Sequence, residues 1–472
     1  MSFSSPFPIE LSDFEYLMYR DDSPQYPMTF CLQTTVSGGL KRDEFEQALK
    51  SALDRHPLFQ AIVRRHWNHY FWIAHPIEKL PLDWDLSEAA SSPQPSPVNL
   101  SQTPGIRVWA RQCERGVLVV WQFHHACSDG IGSLQFIGDV FAHYGILTVE
   151  EGQTAPKLQT LDPDLLKQRG KLISAGKGQV PSNHSLKTLI RRFRRLVGRR
   201  TMPLAASPRK VETEDRPLMF THLIDPPTLK LLNRFASNSD VNLNSLLLRE
   251  MFLTLREWNE KHNGLPQNQW LRLGMPLNMR TSKHVGIPAC NMVSMMFFPR
   301  TAEDCQNEEQ LLQGIQKQTI KTLHNRLGNL LLAGIRRIRK VPGLLPLLLS
   351  SKRPFTTAVL ANIGEVRKHF GAEFPHRKGC CIAGNVVIEQ VDGVAPIRPG
   401  TRMAVSVGIY GRQLIINMNC DQKFLSRQQS EELLDSFVNR LESLSKLVPR
   451  KKDLPSESSL SDVPPEKGSN ST

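Results

Sequence analysis

Residues 119–139 read VVWQFHHACSDGIGSLQFIGD. An apolar run rich in valine and aromatics ends on two adjacent histidines, His124 and His125. Asp129 and Gly130 then make a turn, after which Leu134, Ile137, Val140, Phe141 and Tyr144 recur at helical spacing. The stretch predicts a buried strand, a tight turn and a helix, with Ser133 placed to cap it. A chain built around such a unit needs a sheet with helices packed on it.

The flanking sequence repeats that alternation. KRDEFEQALKSALDRHP puts Phe45, Ala48, Leu49, Ala52 and Leu53 on one helical face and stops at Pro57. LFQAIVRRHWNHYFWIAHP reads as a hairpin, and IRVWARQCERGVLVVWQFHH as a second one turning at Glu114-Arg115-Gly116. Beyond the middle of the chain, VNLNSLLLREMFLTLREWNEKHN predicts a long amphipathic helix. WLRLGMPLNMR and NMVSMMFFP are strand-like, and RMAVSVGIYGRQLIINMNCD is a hairpin turning at Tyr410-Gly411-Arg412. LSRQQSEELLDSFVNRLESLSKL closes the pattern as a helix. The expected division is an α/β unit over 1–160, a basic connection over 161–214, a second α/β unit over 215–448 and a tail over 449–472 too polar to order itself.

No run of about 18 apolar residues is present, so no spanning helix is expected. The start, MSFSSPFPIELSDFEYL, lacks the basic and apolar regions of a secretory signal. The eight cysteines are scattered without CxxC spacing and read as buried thiols in a reducing, cytoplasmic compartment. The net charge of +14 comes almost wholly from residues 166–210, which hold thirteen Lys or Arg and no acid. Within that segment, residues 185–200 predict a helix with Leu186, Leu189, Ile190, Phe193, Leu196 and Val197 on one side and arginines over much of the rest. It reads either as a helix docked on the body or as one that binds an anionic membrane surface. Nucleic acid is not expected as a partner, because no binding motif or aromatic platform accompanies the charge. The apolar GLLPLLLS beside IRRIRK fits a lipid-facing surface or a buried helix pair equally.

Chemistry narrows the histidine pair. Successive strand side chains point to opposite faces, so His124 and His125 are poorly placed to share a metal, and no metal site is expected. No GxSxG elbow is present, and Cys127 is only two residues from His125, so a hydrolase triad is disfavoured. A histidine at a strand end can take a proton from a hydroxyl, amine or thiol near neutral pH and return it. Asp129 can anchor the loop through an arginine, and Gly130 lets substrate approach the backbone.

HHACSDG resembles HHxxxDG, the signature of the CoA-dependent acyltransferase superfamily. That superfamily includes nonribosomal-peptide condensation domains, wax ester synthases, alcohol acyltransferases and polyketide-associated acyltransferases. Softer likeness covers most of residues 5–445: FPIELSDFEYLMY at the start, the His-Pro-Leu close at 56–58, MPLNMR at 275–280, CNMVS at 290–294, ANIG at 361–364 and the closing hairpin and helix. Cys290 stands where many members have glycine, the plant DFGWG is absent, and the basic segment is longer than the family needs.

The resemblance implies two chloramphenicol-acetyltransferase-like domains around a central tunnel, in a free-standing acyltransferase. The donor would be an acyl-CoA or acyl-carrier-protein thioester, with acyl groups other than aminoacyl. The acceptor would be a hydroxyl or amine, and no cofactor would be permanently bound. His125 would be the general base, and His124 would pack or hydrogen-bond. Asp129 would be structural, paired with Arg280. Asn291 and Asn362 would either line the tunnel or bond the backbone as turn residues. The alternative is a condensation-like binding module without turnover.

Overall fold

The computed structural model describes residues 5–171, 200–206, 219–262, 269–325, 327–350 and 354–447. The first part of the chain runs β1 (Ile9–Glu10), α1 (Asp13–Asp21), β2 (Thr29–Ser37), α2 (Arg42–Arg55), β3 (Ala61–His66), β4 (His69–Ala74), β5 (Leu82–Trp84), β6 (Ile106–Cys113), β7 (Gly116–His124), α3 (Gly130–Thr148) and β8 (Lys157–Leu158). The next runs β9 (Met219–Ile224), α4 (Pro226–Asn238), α5 (Leu243–His262), β10 (Leu271–Asn278), β11 (Val293–Arg300), α6 (Glu308–His324), α7 (Gly328–Arg339) and α8 (Leu344–Leu349). The last comprises β12 (Ala358–Glu365), β13 (Ala372–Glu373), β14 (His376–Arg377), β15 (Cys380–Ala383), β16 (Val386–Val394), β17 (Met403–Tyr410), β18 (Gln413–Cys420) and α9 (Arg427–Lys446).

Two large sheets organise these elements. One has seven strands in the order β14-β15-β16-β2-β7-β6-β5, the other six in the order β11-β10-β12-β17-β18-β9. On the first sheet, β7 alternates so that Val119, Trp121 and Phe123 face the helices. Trp121 meets Phe45 of α2 and Phe136 and Phe141 of α3, at ring-centroid distances of 6.0 to 6.3 Å. These rings, all buried, clamp the end of the strand to the start of the helix. The second core gathers Leu246, Leu247 and Phe252 of α5, Phe298 of β11 and Leu433 and Phe437 of α9.

Both predicted hairpins of the first half form, with β6 and β7 joined across Glu114-Arg115. The cap of α3 differs from expectation. Asp129, still in extended backbone, caps the helix by accepting from the Gly132 amide at 2.8 Å. Ser133 lies a full turn inside and is buried, where its own amide already donates to the Asp129 carbonyl at 2.9 Å.

The stretch 215–448 does not form one body. Its strands β14, β15 and β16 leave the second sheet and complete the first, with Val387 opposite Ser37 and Val394 opposite Cys31. The physical reason is the edge of β2, a nine-residue strand whose outer row of amides and carbonyls would otherwise lack partners.

The ends of the basic connection are anchored. Leu166 and Arg169 are buried against the first lobe, while Leu204 and Ala205 enter the second core. The helix expected over 185–200 lies outside the described residues apart from Arg200, as does the tail over 449–472. α7 and α8, which carry IRRIRK and GLLPLLLS, are half-buried, with Ile335 and Leu345 inside and Leu347 outside. No helix among the described residues is long and apolar enough to cross a membrane. All eight cysteines are free; Cys31, Cys113 and Cys380 are only partly covered, short of the expected burial.

Candidate active site at the lobe junction

The site forms where β7 ends. His124 turns inward and is fully buried. Its Nδ1 accepts from the Ala126 amide at 3.1 Å, and its Nε2 lies 3.7 Å from Asp22, beyond a direct hydrogen bond. His125 emerges on the other face, half-exposed, with its amide donating to the Met28 carbonyl at 2.7 Å. The Phe30 ring packs on its imidazole at 5.0 Å. Burial pushes the His125 pKa below 6.5, outweighing the hydrogen bond from the ring to its own carbonyl and the nearby Asp129 charge. The shift favours the neutral imidazole, whose lone pair can accept a proton.

Asp129 holds the loop from four directions. Arg280 donates from Nη1 at 2.8 Å and Nη2 at 3.0 Å, the Gly132 amide at 2.8 Å and the Met292 amide at 2.7 Å. Burial raises the Asp129 pKa, but Arg280 and the two amides overcome it and leave the carboxyl below 3.8. Arg280 also reaches the Cys290 carbonyl at 2.8 Å. The pair is nearly enclosed, with side-chain exposures of 14% and 6%. It is a strut between lobes, because Asp129 belongs to the first and Arg280 to the second.

Gly130 and Gly132 have different reasons to lack side chains. A Cβ on Gly130 would meet nothing within 4 Å, so it faces open space beside His125. On Gly132 it would lie 2.6 Å from Ser128 Oγ and 2.7 Å from the Cys290 carbonyl, closer than atoms can pack. Gly132 is the steric requirement, and the sequence reading named only Gly130.

Asn291 touches the histidine directly. Its Nδ2 donates to the His125 carbonyl at 2.6 Å and lies 3.2 Å from His125 Nδ1, while its Oδ1 accepts from the Val293 amide. Asn362 is not brought to this cluster. It sits at a bulge of β12, where its Oδ1 accepts from the Gly364 amide at 2.9 Å and its Nδ2 reaches Asn244. It lines neither cavity beside the histidine.

Two further histidines belong to the site. His56, wholly buried, places Nε2 3.1 Å from Asp139 and accepts the Ala289 amide on Nδ1 at 2.8 Å. Accepting on Nδ1 leaves the proton on Nε2, which Asp139 then orients. Arg55 also donates to Asp139, at 2.7 Å. His56 thus pins the segment that carries Cys290, Asn291 and Met292. His369 is held through Nε2 to the Ile363 carbonyl at 2.9 Å, within the field of Arg280 and Asp129. The only signal for His56 was its place in His-Pro-Leu; His369 had none.

Two cavities reach residues that touch His125, Phe30 in one and Asn291 in the other. One of about 680 Å³ is lined by Thr29, Phe30 and Cys31 of β2, Leu118 and Val120 of β7, and second-lobe residues around Cys420. The other is a cleft of about 20 Å³, enough for a single water, bounded by Phe14, Met279, Asn291, Met292 and Leu332.

No protein-family model and no curated protein sequence matches this chain. Solved structures do. A mutant starter condensation domain of rhizomide synthetase in complex with C8-CoA superposes with a TM-score of 0.64 at 15% identity, covering 93% of this chain and 95% of that one. The first condensation domain of the calcium-dependent antibiotic synthetase, with a substrate analogue, gives 0.66 at 11% identity over 93% and 97%. Polyketide synthase associated protein 5 from Mycobacterium tuberculosis gives 0.59 at 14% over 92% and 97%. The fold is that of a condensation domain. It consists of two chloramphenicol-acetyltransferase-like lobes. In this condensation fold the junction is closed by Arg280, Cys290, Asn291 and Met292 reaching from the second lobe to the loop after β7.

Proposed function

We propose that the protein is an acyltransferase that moves an acyl group from a thioester, carried by CoA or a carrier protein, to a hydroxyl or amine. The observation that carries this reading is His125. It is a partly exposed imidazole at a strand end, its pKa lowered by burial, held in a loop that three other groups make rigid and touched by Phe30 and Asn291, each of which lines a cavity. The C8-CoA bound to the rhizomide synthetase domain supports a thioester donor.

In this reading the ring donates through Nδ1 to its own carbonyl, which leaves Nε2 free to remove the proton of the acceptor. The acceptor oxygen or nitrogen attacks the thioester carbonyl, the tetrahedral intermediate collapses, and the proton returns to the departing thiolate as the carbon–sulfur bond breaks. Asp129 and Arg280 take no proton; they hold the loop. We place the enzyme in the cytoplasm.

The test is consumption of acyl-CoA thioesters of graded length with alcohols and amines as acceptors, read as free thiol and as ester or amide product. Product formed in proportion to thiol supports the reading. No thioester consumed with any donor, from CoA or a loaded carrier protein, leaves the non-catalytic binding module.

The pH dependence follows from the histidine. Its pKa lies below the ordinary histidine value, so the acid limb of kcat/KM should be centred below pH 6.5. An acid limb centred above pH 7 would contradict His125 as the base.

A further inference from the structure

A third, three-stranded sheet, β1-β4-β3, ends in an exposed hairpin tip, where His66 pairs with His69 and Trp67 and Asn68 alone make the turn. Trp67 is 84% exposed, and among the described residues it is the one aromatic side chain left so far out in water. Its backbone has a φ of 53°, a conformation that favours glycine or asparagine, and Arg65 Nε donates to its carbonyl at 2.7 Å. The turn thus holds a bulky ring outward where a small polar residue would sit more easily. Glu10 ties this tip to the end of α7: its Oε1 lies 2.8 Å from His69 Nδ1 and accepts from Arg339 Nη2 at 2.6 Å. Lys340 and Val341 follow directly on that helix, and Val341 is 51% exposed. Asn68 and His69 border one basin with Lys171 and Lys340.

The charge on this face is positive. Arg65, Lys171 and Lys340 are exposed, and among the described residues no carboxylate pairs with any of them. The acids nearby are engaged: Glu10 as above, Asp13 by Arg336 at 2.8 Å and Asp164 by Lys167 at 2.6 Å. The basic stretch of the sequence, 166–210, leaves the described body at Lys171 on this same face. An outward tryptophan among unpaired cations suits the boundary of an anionic bilayer, where indole rings settle at headgroup level and Lys and Arg meet lipid phosphates. A soluble polyanion would engage the cations but leave Trp67 and Val341 in water.

We propose that this end of the first lobe docks on an anionic membrane surface, with Trp67 set shallowly among the headgroups and Arg65, Lys171 and Lys340 on lipid phosphates. The inference does not depend on the acyltransferase reading. The contact is peripheral and reversible, because one ring and one valine anchor far less than a spanning helix and need the charges beside them.

The experiment is sedimentation of the full chain with vesicles of phosphatidylcholine, alone or mixed with phosphatidylserine, at low and high salt. Wild type is compared with Trp67→Ala and with Lys171→Gln/Lys340→Gln. These three residues are exposed and outside the ion pairs that hold α1 to α7, so the melting temperature serves as a folding control. Wild type should bind the mixed vesicles, ignore the neutral ones and come off at high salt. Each basic side chain at such a surface is worth about fivefold in affinity, so the lysine variant should bind roughly 25-fold more weakly. Trp67→Ala should lose roughly tenfold, the scale of partly burying a large ring. Brominated acyl chains should quench a fraction of the tryptophan fluorescence that is absent from Trp67→Phe. No binding to mixed vesicles at low salt would overturn the proposal. Binding unchanged in both variants would do so too, because it would place the contact elsewhere on the chain. A loss in the lysine variant alone, with equal quenching in Trp67→Phe, would reject the seating of the ring. Self-association that the variants lose, without vesicle binding, would assign the face to a second copy of the chain instead.

Discussion

Replacing His125 by alanine is expected to lower kcat for acyl transfer by roughly 10² to 10⁴, the span of a lost general base. The fold should hardly notice. Residue 125 is partly exposed, and the bonds that fix this loop, from its amide to the Met28 carbonyl and from Asn291 to its carbonyl, involve the backbone and survive the change. The Phe30 contact is the main packing lost. A melting temperature close to wild type with activity nearly gone is the expected pair of measurements. Activity within a few-fold of wild type would remove His125 from the chemistry. His124→Ala makes the useful contrast, because that ring is fully buried and bonded to the Ala126 amide, so its loss should show in stability as well.

Asp129→Ala should do the opposite, unsettling the molecule before it informs on rate. The substitution leaves the Arg280 guanidinium enclosed without its carboxylate and strips the Gly132 and Met292 amides of their acceptor. Breaking a buried ion pair from one side costs about 3 kcal/mol or more. For a cooperative unit of this size that is a fall of about 5 to 10 °C in melting temperature. The pH dependence has a definite sign. The folded pKa of Asp129 is depressed, so its stabilisation is complete above the unfolded value of 3.8 and is lost as pH falls through the lower, folded one. Wild type should therefore lose stability in acid more steeply than the variant. Equal thermal stability of the two at pH 7 would show that the strut contributes nothing.

The strand, turn and helix around His125 were legible because each depends on neighbours in sequence. Alternation, an Asp-Gly turn and helical spacing are all written within 21 residues. The partnership of Asp129 with Arg280 could be anticipated from the likeness of HHACSDG and MPLNMR to a known pattern, although 151 residues separate the two. His56 could not be found in the same way. At the end of α2 it looked like part of a helix stop, and its partners Asp139 and Ala289 lie 83 and 233 residues away with no periodicity to connect them. Asn362 shows the converse: of the two roles the sequence left open, tunnel wall or backbone-bonding turn residue, it takes the second and shapes a bulge, a choice decided by local backbone geometry. The division of the chain into successive halves failed at β16 because an apolar strand carries no mark of which sheet it will join.

That strand also imposes a timetable. Val387 pairs with Ser37 across 350 residues, so a ribosome extending the chain at about 5 to 20 residues per second needs roughly 20 to 70 s to deliver the partner of β2. During that interval β2, β7 and β6 can already associate as neighbours, yet the outer rim of β2 stays open to any other extended chain nearby. Cys31 and Leu32 lie on that rim, where Val394 and Gly393 will later pair. Any assembly of the half bearing His125 during synthesis therefore has a stage with that strand edge exposed. That stage ends only when the polypeptide has travelled out through the second sheet and returned to seal the first.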